Sequence, residues 1–128
     1  MLQNFPLYAY FPAKDIDRAR RFYETQLGLK PKMEIAGGVV YGFAGGTEAF
    51  LYVTPHAGTS KASQAFWQVD DVDAEIAELK ARGVVFERYD DMPGERSPSG
   101  AITAGGAKAA WFKDTERNIL AIIQDASS

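Results

Sequence analysis

Apolar and polar positions follow two periods along this chain, and the two periods come in the same order twice. Residues 5–12 are aromatic-rich and extended in character. From Asp15 the spacing changes, and Ile16, Ala19, Phe22 or Tyr23, and Leu27 recur at helical intervals. Asp15 stands where an N-cap belongs, and Asp17 lies in the first turn, where the helix dipole favours negative charge. Gly28 supplies a stop. Three short strands are predicted next, over residues 33–36, 39–44 and 49–54. Gly37-Gly38 and Gly45-Gly46 separate them and provide the positive φ of tight turns.

The second half repeats the plan. Residues 64–69 read as a strand, Asp71 as an N-cap, and Val72, Ile76 and Leu79 as an apolar stripe that ends at Gly83. Strands are predicted over residues 84–89, 107–113 and 119–124. Residues 11–17, FPAKDID, lie over residues 67–73, WQVDDVD, at a constant offset of 56. Such a repeat implies two copies of one supersecondary unit, neither able to bury its sheet face alone. The predicted fold is α+β: two tandem βαβββ modules whose curved mixed sheets wrap a concave cavity. Each helix covers one face of its own sheet. Module one is residues 1–54, a small polar linker covers 55–63, and module two is 64–128, together forming a single domain.

Composition narrows the class. Hydrophobic residues make up 46% and charged residues 24%, an ordinary globular balance. The net charge of −3 gives no electrostatic case for nucleic acid or an anionic membrane surface. With no cysteine there is no disulfide, thiolate metal site or cysteine nucleophile. No apolar run is long enough to span a bilayer, and the first residues lack the pattern of a signal peptide. The expected setting is the cytoplasm.

Three stretches carry a more specific likeness: DIDRARRFYETQLGL at 15–29, VDDVDAEIAELKARGV at 69–84 and WFKDTERNILAI at 111–122. With the strand pattern, they resemble the vicinal-oxygen-chelate superfamily. It includes glyoxalase I, extradiol dioxygenases, fosfomycin-modifying enzymes and bleomycin-binding proteins. The resemblance implies the paired-module fold and, in catalytic members, a divalent metal on the concave face. Its ligands come from each module's first strand, seven residues before the helix-capping Asp, and from each module's last strand. In this chain those positions are Tyr8, a residue within 51–53 (of which Tyr52 has a polar side-chain atom), Gln64 and Ala121. Zinc, iron and manganese sites draw on carboxylates and imidazoles. An amide oxygen and two phenols make a poor cage, and the one histidine, His56, falls in the linker. The expectation is that the family metal site is absent and no cofactor is bound.

Alternation from those positions places Tyr8, Tyr10 and Pro12, then Gln64, Phe66 and Gln68, then Ile119, Ala121 and Ile123 on the concave face, and Trp67 and Val69 in the core. The predicted ligand-binding set is Tyr8, Tyr10, Tyr52, Gln64, Phe66, Gln68 and Ala121, suited to a partly apolar small molecule. Candidate acid–base groups are few: Glu87, on one face of the sixth strand with Tyr89, and Tyr8, with Glu48 a further carboxylate. Residues 90–106 are long, rich in Gly, Pro and Ser, and read as a lid or a surface loop. Arg117 stands where the family's turn carries glycine. The reading is a metal-free small-molecule-binding protein with sheet edges and apolar faces that need cover, so a homodimer is expected. Two alternatives stay open: a metal-dependent enzyme of glyoxalase or dioxygenase type, and a metal-independent enzyme using Glu87 or a tyrosine.

Overall fold

Asp15 begins the first helix as its position predicts. Its carboxylate accepts the Arg18 N–H at 3.0 Å, and its own backbone is extended. In this computed structural model, which describes residues 1–125, strand β1 (Ala9–Ala13) leads to α1 (Ile16–Arg21). The helix then widens into a π-helical turn over Phe22–Gln26, closed by a bond from the Leu27 N–H to the Phe22 carbonyl at 3.1 Å. The sequence offered Phe22 or Tyr23 as the buried position. Both are buried, because the wider turn presents adjacent residues to the sheet. Tyr23 stacks on Phe11 with centroids 4.9 Å apart, and Gly28, at φ +72°, ends the turn.

Strands β2 (Pro31–Ile35), β3 (Gly38–Gly42) and β4 (Glu48–Val53) complete a four-stranded sheet in the order β1-β4-β3-β2. β1 runs parallel to β4, and the other pairs are antiparallel. Phe11, Ala13, Val39, Tyr41, Ala49 and Leu51 point to the helix side and are buried. On that side the Tyr41 hydroxyl donates to Glu24 at 2.8 Å, and Arg20 bridges Glu24 and Glu34.

The first compact unit is Met1–Thr59 together with Thr115–Asn118. That short turn brings a carboxylate to the start of α1. Glu116, whose side chain is fully buried, accepts the backbone N–H groups of Lys14 and Asp15 at 2.9 and 3.0 Å. It also accepts two bonds from the Arg18 guanidinium, at 2.8 and 3.0 Å, and one from the Thr115 hydroxyl. Asn118 donates to the Pro12 carbonyl at 2.8 Å. Gly58 fits under the turn: a Cβ there would lie 2.3 Å from the Glu116 carbonyl oxygen. Arg117, which stands where the family's turn carries glycine, holds φ +72°, in the left-handed region.

The second unit comprises Ser60–Asp114 and the chain from Ile119. It contains β5 (Ser63–Gln68), α2 (Val72–Ala81), β6 (Glu95–Arg96), β7 (Ile102–Ala104), β8 (Ala107–Lys113) and β9 (Ile119–Asp125). Asp71 caps α2 through the Ala74 N–H at 3.1 Å, and Val72 and Ile76 bury its apolar stripe. Gly83 stops it at φ +89°. The sheet order is β5-β9-β8-β7-β6, with β5 parallel to β9. The architecture is therefore α+β, with two open mixed sheets of four and five strands and one helix for each. Among the described residues no helix is long and apolar enough to cross a membrane.

Three expectations need correction here. The predicted strand at 84–89 reduces to a single bridge, Phe86 with Phe112, plus a bond from the Glu87 N–H to the Trp111 carbonyl at 2.7 Å. Residues 90–106 are not structureless, since they hold β6 and β7. β7 takes the first half of the β8 edge, through Ile102–Ala109 and Ala104–Ala107, and leaves only the second half to Phe86 and Glu87. The turn at 97–100 is fastened by Asp73, whose carboxylate accepts from Ser97, Ser99 and Lys108. The Lys108 ammonium and the serine hydroxyls hold that carboxyl below its ordinary range. The linker also differs from its polar reading, because Ala57 within it is buried.

The Glu116 arrangement fixes a pH dependence. Burial alone would push its carboxyl up, but hydrogen bonds from Arg18, the Asp15 N–H, Thr115 and the Lys14 N–H outweigh it and hold the value at about 2, against an ordinary 4.5. A lowered folded-state value means that this stabilisation is complete above pH 4.5 and is lost as pH falls towards 2. Glu116→Gln is predicted to cost roughly 3 kcal/mol at pH 7. It should also flatten the loss of stability between pH 4.5 and pH 2. Urea unfolding of both proteins across that range checks this, and identical acid slopes would contradict it.

Candidate functional site

Strand alternation leaves one face of each sheet uncovered by its own helix, and those faces carry the side chains of interest. In the first unit Tyr10 is paired with Phe50, and Pro12 with Tyr52, on adjacent parallel strands. The three rings of Tyr10, Phe50 and Tyr52 form a closed set. Tyr10 meets Tyr52 edge-on at 5.0 Å, lies 6.1 Å from Phe50, and Phe50 stacks with Tyr52 at 6.0 Å. Antiparallel pairing extends the face through Val40 to Met33. Tyr10 remains 61% exposed and Met33 53%. Gly38 makes room for the set, since a Cβ there would come within 2.7 Å of the Phe50 ring. At one end of the face Lys32 pairs with Glu48. Tyr8, just before β1, is half exposed.

The structure thus brings Tyr10 and Tyr52 into contact, and adds Phe50, which the sequence reading missed. The signal was present: Phe50 and Tyr52 alternate on the same predicted strand.

In the second unit Phe66 pairs with Ala121, which pairs in turn with Trp111, so these three share a cross-strand row. Gln68 pairs with Ile123. Phe66 and Gln68 are exposed, and Trp67 lies on the other face, stacked on Phe112. Gln64 departs from simple alternation. A bulge between Ser63 and Ala65 makes it the extra residue, and Ser63 is the one in register with Ile119. The Trp111 indole N–H donates to the Ser63 hydroxyl at 3.1 Å, and Tyr89 meets the Trp111 ring edge-on at 5.8 Å.

These groups line a cavity of about 380 Å³ whose walls include Lys61, Ser63, Tyr89, Asp91, Met92 and Trp111. Of the proposed lid, residues 91–93 reach this cavity, while 97–99 are held to α2 by Asp73. Trp111 and Tyr89 were not singled out as ligand contacts from the sequence, although β8 was predicted at its observed bounds and alternation separates Trp111 from the buried Phe112. Glu87 pairs with Lys113 at 3.2 Å, so its carboxylate already has a cationic partner. Burial, then the Glu87 charge, pushes the Tyr89 hydroxyl up, which keeps it a neutral donor.

The chemistry of the donor set does not fit a family-type metal centre. The first unit offers a phenol at Tyr8 and another at Tyr52. The second offers an amide at Gln64 and a methyl group at Ala121. Ala121 is 1% exposed, flanked in register by Phe66 and Trp111. Among the described residues no group of three His, Cys, Asp or Glu side chains converges. Without carboxylate or imidazole donors, a dication would lose hydration with little compensation.

Substitution at the buried position tests this account of the row. Ala121→Glu must displace an aromatic neighbour or bury a carboxylate, and is predicted to lower stability by about 2–3 kcal/mol. Tyr8→His, at a half-exposed position, should change it by less than about 0.5 kcal/mol. Thermal unfolding of both variants provides the comparison, and a neutral Ala121→Glu would show that the row is looser than described.

Known proteins give the family. No curated protein matches the sequence. Among solved structures, UcmS2 superposes with a TM-score of 0.74 at 16% identity, covering 93% of this chain and 96% of that one. TnmS3, an antibiotic binding protein from Streptomyces sp. CB03234, gives 0.69 at 21% identity, covering 94% and 97%. A bleomycin-binding protein complexed with bleomycin gives 0.65 at 20% identity, covering 94% and 98%. At these identities the likeness is one of fold. The family model for the glyoxalase/bleomycin resistance protein/dioxygenase superfamily matches residues 7–121, nearly the whole chain, and the protein belongs to that superfamily.

Proposed function

We propose that this protein binds a partly apolar small organic molecule on its open sheet faces and holds it without a metal ion. The observation that carries the reading is the ring set of exposed Tyr10 with half-buried Phe50 and Tyr52, which occupies the face where the family resemblance expects charged metal ligands. Aromatic faces with few polar groups favour stacking and desolvation over Lewis-acid chemistry. Two proteins of the same fold are an antibiotic binding protein and a bleomycin-binding protein, which supports sequestration as the purpose. Tyr8, Gln64, Phe66, Gln68 and Ala121 belong to the same proposal as further contacts.

The setting proposed is the cytoplasm and the working form a twofold homodimer. Exposed apolar side chains at Tyr10, Met33, Ile35 and Phe66, with open strand edges at β2 and β5, favour self-association.

Titration with the planar aromatic probe 1-anilinonaphthalene-8-sulfonate, in buffer with and without a chelator, tests the function. Saturable binding is expected, unchanged by chelator and weakened about tenfold by Tyr10→Ala or Phe50→Ala, since a lost ring contact is worth about 1.4 kcal/mol. Binding that needs added Zn²⁺ or Mn²⁺, or that ignores both substitutions, would overturn the reading. Light scattering at micromolar concentration should give twice the monomer mass, and a monomer mass would remove the dimer.

A further inference from the structure

The cavity of the second unit is lined by two opposite charges that no described residue pairs. Around the loop that borders it, several charges are engaged: Arg88 pairs with Asp90 at 2.6 Å, Lys113 with Glu87 at 3.2 Å, and the Arg96 guanidinium donates to the Tyr89 carbonyl. Among the described residues, Lys61 and Asp91 make no ion pair or side-chain hydrogen bond, yet both line the cavity.

Sheet order explains why they do not meet. Lys61 precedes β5, Asp91 follows the segment beside β8, and β9 lies between. Crossing from β5 over β9 and β8 to that segment spans three strand spacings, about 14 Å between backbones. Those two intervening strands carry Trp111 and Ile119, which also line the cavity. Two strands, and with them the aromatic floor of the cavity, therefore separate the lysine from the aspartate.

We infer that this cavity takes a flat aromatic molecule with an acidic group at one end and an amine at the other. The ring lies against Trp111 and Tyr89, the acid faces Lys61 and the amine faces Asp91. Ser63 supports the acid end: its oxygen accepts the indole N–H, which leaves its own hydroxyl proton free to donate. Met92 closes over the ring with a polarizable side chain suited to aromatic contact. The inference rests on the reading of the protein as a small-molecule binder, but uses residues separate from the ring set of the first unit. An α-amino acid, with both charges on one carbon, does not span the two ends.

Four probes separate ring, acid and amine: 6-(aminomethyl)-2-naphthoate, 2-naphthoate, 2-naphthylmethylamine and naphthalene-2-methanol. Binding is followed by the indole N–H resonance of Trp111 in the NMR spectrum, assigned with Trp111→Phe because Trp67 supplies the second indole. The doubly substituted probe is expected to bind at least fivefold tighter than either singly charged one, with the margin shrinking at high salt. Lys61→Met should erase its advantage over the amine alone, and Asp91→Asn its advantage over the acid alone. Both residues are exposed, so neither change threatens folding. If naphthalene-2-methanol binds as tightly as the doubly substituted probe, the charge assignment is overturned while the binding function stands. If no probe moves the Trp111 resonance, the cavity is not a ligand site, whatever the ring set of the first unit binds.

Discussion

A buried carboxylate with no counterpart would be among the most costly groups a small domain could carry, and Glu116 is tolerated because it meets donors on several sides. Two of them, the N–H groups of Lys14 and Asp15, lie where the chain leaves β1 for α1 and has no helical carbonyl to bond. The Arg18 guanidinium supplies charge and a two-pronged contact one turn further on. The corner between strand and helix is thereby fixed by a residue about a hundred positions away in sequence. Neighbouring features follow from the same constraint. Asn118 ties the turn to the Pro12 carbonyl. Gly58 is small because the turn leaves no room for a Cβ, and Arg117 accepts a left-handed backbone to complete it.

With that corner fixed, β1 has one choice of face. Phe11 and Ala13 go to the helix, and Tyr10 and Pro12 go to the open side. Pairing with β4 then brings Tyr52 and Phe50 alongside. The second unit follows the same period-two logic: Phe112 is buried with Trp67 and Phe86, and Trp111 faces the other way. Both open faces are thus aromatic at their centres, with Glu48 and Glu87 already matched to Lys32 and Lys113. A face of this kind favours flat organic molecules through desolvation and ring contact, and offers little to a dication.

Much of this was legible because it depends on short-range signals. Asp15 and Asp71 were readable as caps, since a cap needs only a side chain three residues from its donor. Strand alternation put Tyr10, Phe66 and Ala121 on the face away from the helices, and the family turn pointed to Arg117. What escaped depends on contacts distant in sequence. Nothing local marks Glu116 as the acceptor for Lys14 and Asp15. The bulge at Gln64 arises from register against β9, so alternation within β5 alone overestimated its regularity. Residues 90–106 read as a loop because their strands have only two and three residues and their anchors, Ser97 and Ser99, find Asp73 on another element. Phe50 and Trp111 could have been found by extending the alternation argument to every strand.

The central claim is that these faces hold their ligand through rings and not through a metal. Elemental analysis of protein prepared without a histidine tag, after incubation with Zn²⁺, Ni²⁺, Mn²⁺ and Fe²⁺ and removal of free ions, tests it most directly. The account predicts far less than one metal ion per chain. One firmly held ion per chain, lost when Gln64 or Tyr8 is replaced by alanine, would contradict it.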